Sequence, residues 1–131
     1  MSNDRNRILT ESIKRLLRRK ATTHLKKIVN KTHAADLSAV FNSLPLESQH
    51  QLFRMIQDPE KKGFLFSELE KDTFLDFIEG LEIGEIVNVL ENMASDDVAD
   101  LLGRLPEEKA GAILDMMKKE GSEAIEGLLR Y

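Results

Sequence analysis

Apolar residues recur along this chain with a period close to twelve. The series Leu44, Ile56, Leu69, Leu81, Met93, Leu105 and Met117 advances by twelve at every step but one, which is thirteen. Counting five, six, eight and nine places past each anchor from Leu69 onward gives four columns. They read Phe74, Ile86, Val98, Ala110; then Leu75, Val87, Ala99, Gly111; then Phe77, Val89, Leu101, Ile113; then Ile78, Leu90, Leu102, Leu114. The unit before Leu44 obeys the same spacing through Leu37, Val40 and Phe41. Such spacing marks one face of a helix and not the alternation of a strand. Each unit is therefore a helix of about two to three turns and a tight connection, too short to stand alone in water. Its stability must come from burying the apolar stripe against neighbouring units, which predicts an all-α solenoid, wound right or left, stabilised repeat by repeat.

Local signals place the helix ends. Ser95, ahead of Asp96 and Asp97, and Thr32, ahead of the helix carrying Leu37, stand in N-cap positions. Pro45 and Pro106 fall where a first turn tolerates a missing N–H. Glu47, Asp72, Asp96, Glu107 and Glu108 follow in first turns, where the helix dipole favours acids. Residues 57–66 break the pattern, and Pro59 and Gly63 predict a longer connection there. Ahead of the repeats, 7–20 and 22–31 read as two basic helices. Their apolar sides are Ile8, Leu9, Ile13, Leu16 and Leu17, then Leu25, Ile28 and Val29. The expected organisation is one domain, with residues 1–31 packing as a first layer on a repeat body at 32–131.

The chain has 131 residues, enough for one hydrophobic core. It has six Phe, one Tyr and no Trp, so the core is mainly aliphatic. No Cys is present, which excludes disulfides, thiolate metal sites and cysteine nucleophiles. No apolar stretch is long enough to span a bilayer, and the first twenty residues lack the features of a secretory signal. The chain is expected to be soluble and cytoplasmic. Its net charge of −4 conceals an asymmetry. Residues 1–31 carry ten Lys and Arg against two acids, Asp4 and Glu11, while 32–131 carry nine against twenty-one. A basic head on an acidic body is a statement about partners.

Catalytic chemistry finds no footing. His24, His33 and His50 are scattered, no Ser has the context of a nucleophile, and the seven glycines form no phosphate loop. The three histidines read as surface or capping residues, and the protein as a non-enzyme. The strongest local feature is the acidic run 95–100, SDDVAD. On a helix Asp96 and Asp100 are four apart and Asp97 and Asp100 three apart, a repulsion that a divalent cation would relieve. The plainer reading is a solvated face: Asp96 sits in the first-turn acid column, and Asp100 continues a polar column with Asp76 and Asn88. In the head, Lys14, Arg15, Arg18, Arg19, Lys20, Lys26 and Lys27 lack the interleaved aromatics of a nucleic-acid surface, and the acidic body would repel phosphate. Their charges are expected to pair locally or with another part of a larger protein.

Over residues 25–131 the chain resembles the cytosolic N-terminal domain of MgtE-type magnesium transporters. The resemblance is carried by THAADLSAVFNSLP at 32–45, by ENMASDDVADLLGRLPEEKAGAILDMM at 91–117, and by EGLLRY at 126–131. It implies a right-handed, armadillo-like superhelix of about ten short helices. It also implies a following cystathionine-β-synthase (CBS) pair, a membrane pore in the transporter, and a homodimer made by those other domains. The implied place is the cytosolic side of the inner membrane. In the family the N-terminal domain and the CBS pair close together on Mg²⁺ and hold the pore shut, with ion-contacting acids that fall on Asp96 and Asp100 here. With Asp97 these make a half-site, weak when isolated, for Mg²⁺ as regulatory ion. Two positions depart from the family pattern: a third acid aligns near Phe64, and the Pro usual after His33 is Ala34. Segment 32–56 is also similar to the middle region of the flagellar motor switch protein G. That leaves a non-catalytic interaction scaffold, or a soluble CBS-linked sensor, as the alternative.

Overall fold

The computed structural model describes the backbone of residues 2–129 and the side chains of residues 5–118. The described residues form nine helices and no strand. They are α1 (Ser2–Arg18), α2 (Thr22–Lys31), α3 (Ala34–Phe41), α4 (Leu46–Met55), α5 (Pro59–Glu68), α6 (Lys71–Glu79), α7 (Ile83–Leu90), α8 (Ser95–Gly103) and α9 (Glu107–Leu129). Arg130 and Tyr131, the end of the segment expected to lead into a following domain, lie outside the described residues.

Packing follows from helix length. Helices of eight to ten residues expose too much backbone to be stable singly, and here α2, α3, α4, α5 and α7 are each covered by the next helix but one. The odd helices α1, α3, α5, α7 and α9 form one row, each against its successor, and α2, α4 and α6 form a second. Two further contacts, α1 with α2 and α5 with α8, tie in the remaining helix and the first turn of the chain. One apolar cluster runs through both rows, from Ile13, Leu25 and Val29 through Phe41, Phe53, Phe66 and Phe77 to Leu101 and Ile113. The repeat anchors have a specific place in it. Leu44, Ile56, Leu69 and Leu81 are buried just past the ends of α3, α4, α5 and α6, where each plugs a connection.

Several boundaries differ from the pattern read in the sequence. Residues 57–66 are not a long connection. Asp58 caps α5 by accepting from the Glu60 N–H at 3.0 Å, and Pro59 occupies the first turn. Gly63 is buried inside that helix because Met93 lies against it; an added Cβ would meet Met93 Cγ at 2.7 Å. Close approach, and not a turn, explains this glycine. Nor do Thr32 and Ser95 cap the following helices. Thr32 Oγ1 donates back to Ile28 O at 2.6 Å, and the N-cap positions of α3 and α8 fall to His33 and Ala94, without side-chain bonds. First-turn acids supply the favourable charge there instead. The described residues hold nine helices where about ten short ones were expected, and α9 runs unbroken for 23 residues. Earlier units break at Asn42, Gly80 and Asn92, whereas 115–120 reads DMMKKE, nearly all strong helix formers, with no Pro beyond Pro106.

α1 ends at Arg18 and not at Lys20, because Lys20 adopts φ 56°, the left-handed region. The Lys20 N–H donates to Leu17 O at 3.1 Å and the Ala21 N–H to Leu16 O at 3.0 Å, the two bonds of a Schellman end. A side chain with a Cβ is strained there, and Lys20→Gly is expected to stabilise the fold by about 1 kcal/mol, read as a raised denaturation midpoint. An unchanged or lowered midpoint would contradict this account of the turn.

Polar contacts bridge the rows. Asn30 on α2 donates to Met55 O at 3.0 Å and accepts from the Gln57 N–H at 2.9 Å, serving the backbone where α4 ends. Lys61 on α5 donates to Val29 O at 3.1 Å and Asn30 O at 2.9 Å, capping the end of α2. His50 on α4 donates through Nε2 to Phe77 O at 2.8 Å, near the end of α6, with its ring 5.0 Å from that of Phe77. His50 is thus a capping histidine. His24 and His33 are exposed.

Candidate functional site

Helix α8 is held by few groups. Leu101 is its one fully buried side chain, Val98 and Leu102 are half-buried, and the other six residues are exposed. At about 100° per residue, Asp96 and Asp100 lie roughly 140° and 100° around the helix from Leu101, on the outward side, and Asp97 about 40°. All three carboxylates are exposed, and none is in a hydrogen bond or ion pair among the described residues. Asp76 and Asn88, read with Asp100 as a solvated column, are exposed too.

The smaller angle takes Asp97 into a cleft of about 370 Å³ between α5 and the start of α8. Gly63, Met93 and Ala94 line it together with Glu60, Phe64, Ser67 and Glu68 from α5. Phe64, at the position where a third acid was expected, is 44% exposed there. Acids flank it one turn to either side, at Glu60 and Glu68. Spacing does not single these two out while 57–66 is read as a connection, since Glu60 then has no helical register with Glu68. Read as a helix, the i, i+4, i+8 spacing of Glu60, Phe64 and Glu68 places them on one face.

The structure therefore divides the acidic run. Asp97 joins Glu60 and Glu68 around a cleft, and Asp96 and Asp100 share an outward face. Among the described residues no three His, Asp or Glu side chains are placed to hold a metal ion together. Asp96 and Asp100, one helical turn apart, are two hard oxygen donors of the kind Mg²⁺ takes while keeping most of its water.

The basic helices present the opposite charge. The one ion pair among the described residues is Arg54–Glu85, at 3.4 Å, between α4 and α7. No cation of α1 or α2 is in an ion pair among the described residues. A shallow depression on the outer side of α1 is lined by Arg7, Ile8, Glu11, Ser12 and Arg15, with Ile8 63% exposed. None of the helices is long and apolar enough to cross a membrane, among the described residues.

Comparison with known proteins gives one positive result: the model of the MgtE intracellular N domain matches residues 32–131. No curated protein and no solved structure matches the chain.

Proposed function

The chain belongs to the MgtE intracellular N domain family, and from that premise we propose that it is the Mg²⁺-responsive regulatory part of a magnesium transporter. The observation that carries this reading is the exposed, unpaired Asp96–Asp100 face of α8, opposite the single buried anchor Leu101. Two carboxylates one helical turn apart repel each other by a few tenths of a kcal/mol in water. Facing acids of an adjacent CBS pair, they would repel far more, because the pairs would lie in a partly desolvated interface. Mg²⁺ supplies the countercharge, and since it keeps most of its water it needs only one or two protein carboxylates from each side. Asp96 and Asp100 would contribute those on this side, with Asp97 beside them. Ion binding then shifts an open–closed equilibrium by its preference for the closed arrangement.

The two-row stacking of α1 to α7 supports the right-handed superhelix as the frame for this surface. The proposed setting is the cytosolic side of the inner membrane, with a homodimer made by other domains. A soluble CBS-linked sensor would use the same acids in the same way. The motor-switch scaffold reading rests on residues 32–56, which the family match already includes.

The isolated chain, holding half a site, is expected to bind Mg²⁺ with a dissociation constant on the order of millimolar or weaker. An amide NMR titration at matched ionic strength should show shifts confined to residues 95–102. They should vanish in Asp96→Ala/Asp100→Ala. Micromolar binding, or shifts spread evenly over all acids, would sink the half-site mechanism.

A further inference from the structure

Two surfaces of this chain are left unsatisfied, and they match each other. On the outer side of α1, Ile8 is 63% exposed among Arg7, Glu11 and Arg15, and neither arginine is in an ion pair among the described residues. In the α5–α8 cleft, Phe64 is 44% exposed among Glu60, Glu68 and Asp97, which have no basic partner among them. Each is an apolar side chain among charged ones: Arg7, Glu11 and Arg15 around Ile8 leave an excess of one positive charge, and Glu60, Glu68 and Asp97 around Phe64 are all negative. That is the arrangement of an interface centre and its rim. They cannot meet within one molecule, because α3 stands between α1 and α5 in the row.

We propose that the outer face of α1 docks into the α5–α8 cleft of a second copy of this chain, with Ile8 against Phe64 and Arg7 and Arg15 against Glu68 and Asp97. Charge complementarity selects the second copy. The head carries ten basic residues against two acids, and the body twenty-one acids against nine basic residues. An anionic membrane is the weaker match: one exposed Ile and the neighbouring Glu11 give α1 little to bury in lipid. Using two different patches, the contact is head-to-tail and does not close on itself, so copies add in series. One helix face is small for an interface, which makes the association weak and dependent on charge attraction.

Sedimentation velocity on the full chain, without divalent ions, tests this. At about 10 mM salt the weight-average mass should climb with protein concentration, and near 1 M it should return to the monomer. Arg15→Glu and Glu68→Lys should each weaken self-association about tenfold or more, and Ile8→Ser and Phe64→Ser should weaken it without changing net charge. Glu68→Lys puts a cation in the last turn of α5, where the dipole favours it, so loss of association there is not loss of fold. Mixing the two charge variants should restore association, since one keeps its cleft and the other its head. A monomer at low salt, or a mixture that stays monomeric, overturns the proposal. So does a chain that stays monomeric but pellets with phosphatidylserine vesicles, because the basic face would then serve a lipid surface.

Discussion

Phe77→Ala is expected to cost about 3–5 kcal/mol, a large part of the roughly 5–15 kcal/mol that a domain has to lose. Phe77 is fully buried on α6. Its ring lies edge-on to Phe41 at 6.0 Å, Phe53 at 5.1 Å and Phe66 at 6.1 Å, joining α3, α4, α5 and α6 at one point. Truncation removes the transfer energy of the ring and leaves a cavity walled by rings that are themselves fixed: Phe53 stacks on Phe66 at 5.5 Å, and Phe66 meets Phe74 at 5.7 Å. Collapse into the space is hindered, which puts the cost at the upper end of the usual range. Urea denaturation should show a much lower midpoint at unchanged slope. A loss below about 1.5 kcal/mol would mean that the aromatic cluster is soft and the rows repack around the gap.

Gly80→Ala should be the next most damaging change for so small a substitution, at about 2–3 kcal/mol. Nothing in its backbone demands glycine, since φ is −82° and ψ −3° at the end of α6. The reason is the His50 ring, which occupies the space an added Cβ would take. With Ala at 80 the ring must move, giving up its 2.8 Å bond to Phe77 O and its packing on Phe77. The carbonyl only accepts, so Nε2 carries the proton in this contact. The cause can be isolated by a double-mutant cycle. In a His50→Ala background, Gly80→Ala should be neutral or stabilising by about 0.4–1 kcal/mol, because the obstacle is gone and the unfolded chain loses freedom. If Gly80→Ala costs the same in both backgrounds, the His50 account fails.

Different parts of this structure were legible in the sequence to different degrees. The twelve-residue period located α6, α7 and α8 and named the buried faces of α6 and α7, whereas Ala99 of α8 and Leu114 of α9, in the same columns, are exposed. The column Phe77, Val89, Leu101, Ile113 is buried at all four places. α2 was read to its ends. What failed was the reading of Pro and Gly. Pro59 starts a helix behind its neighbour Asp58, and Gly63 admits Met93, a residue distant in sequence. The same error hid Glu60 and Glu68, whose shared face exists only if 59–68 is helical. Asp96, Asp97 and Asp100 could be found as a cluster, but their division between an outward face and a cleft needed the position of α5. The match of charge and shape between α1 and that cleft was likewise out of reach of spacing alone.

The Lys61 ammonium and the Asn30 amide bear on where this protein can be cut. Similarity to the family begins at residue 32, just past the last residue of α2. A fragment started there would keep every recognisable motif, yet it would strand Lys61 without the two carbonyls that hold it. It would also leave Met55 O and the Gln57 N–H without their side-chain partner, and uncover the core where Ile13, Leu25 and Val29 had sat. The line along which such sequences are recognised is not the line along which this chain holds together, and the basic head is bolted to the body by the body's own lysine.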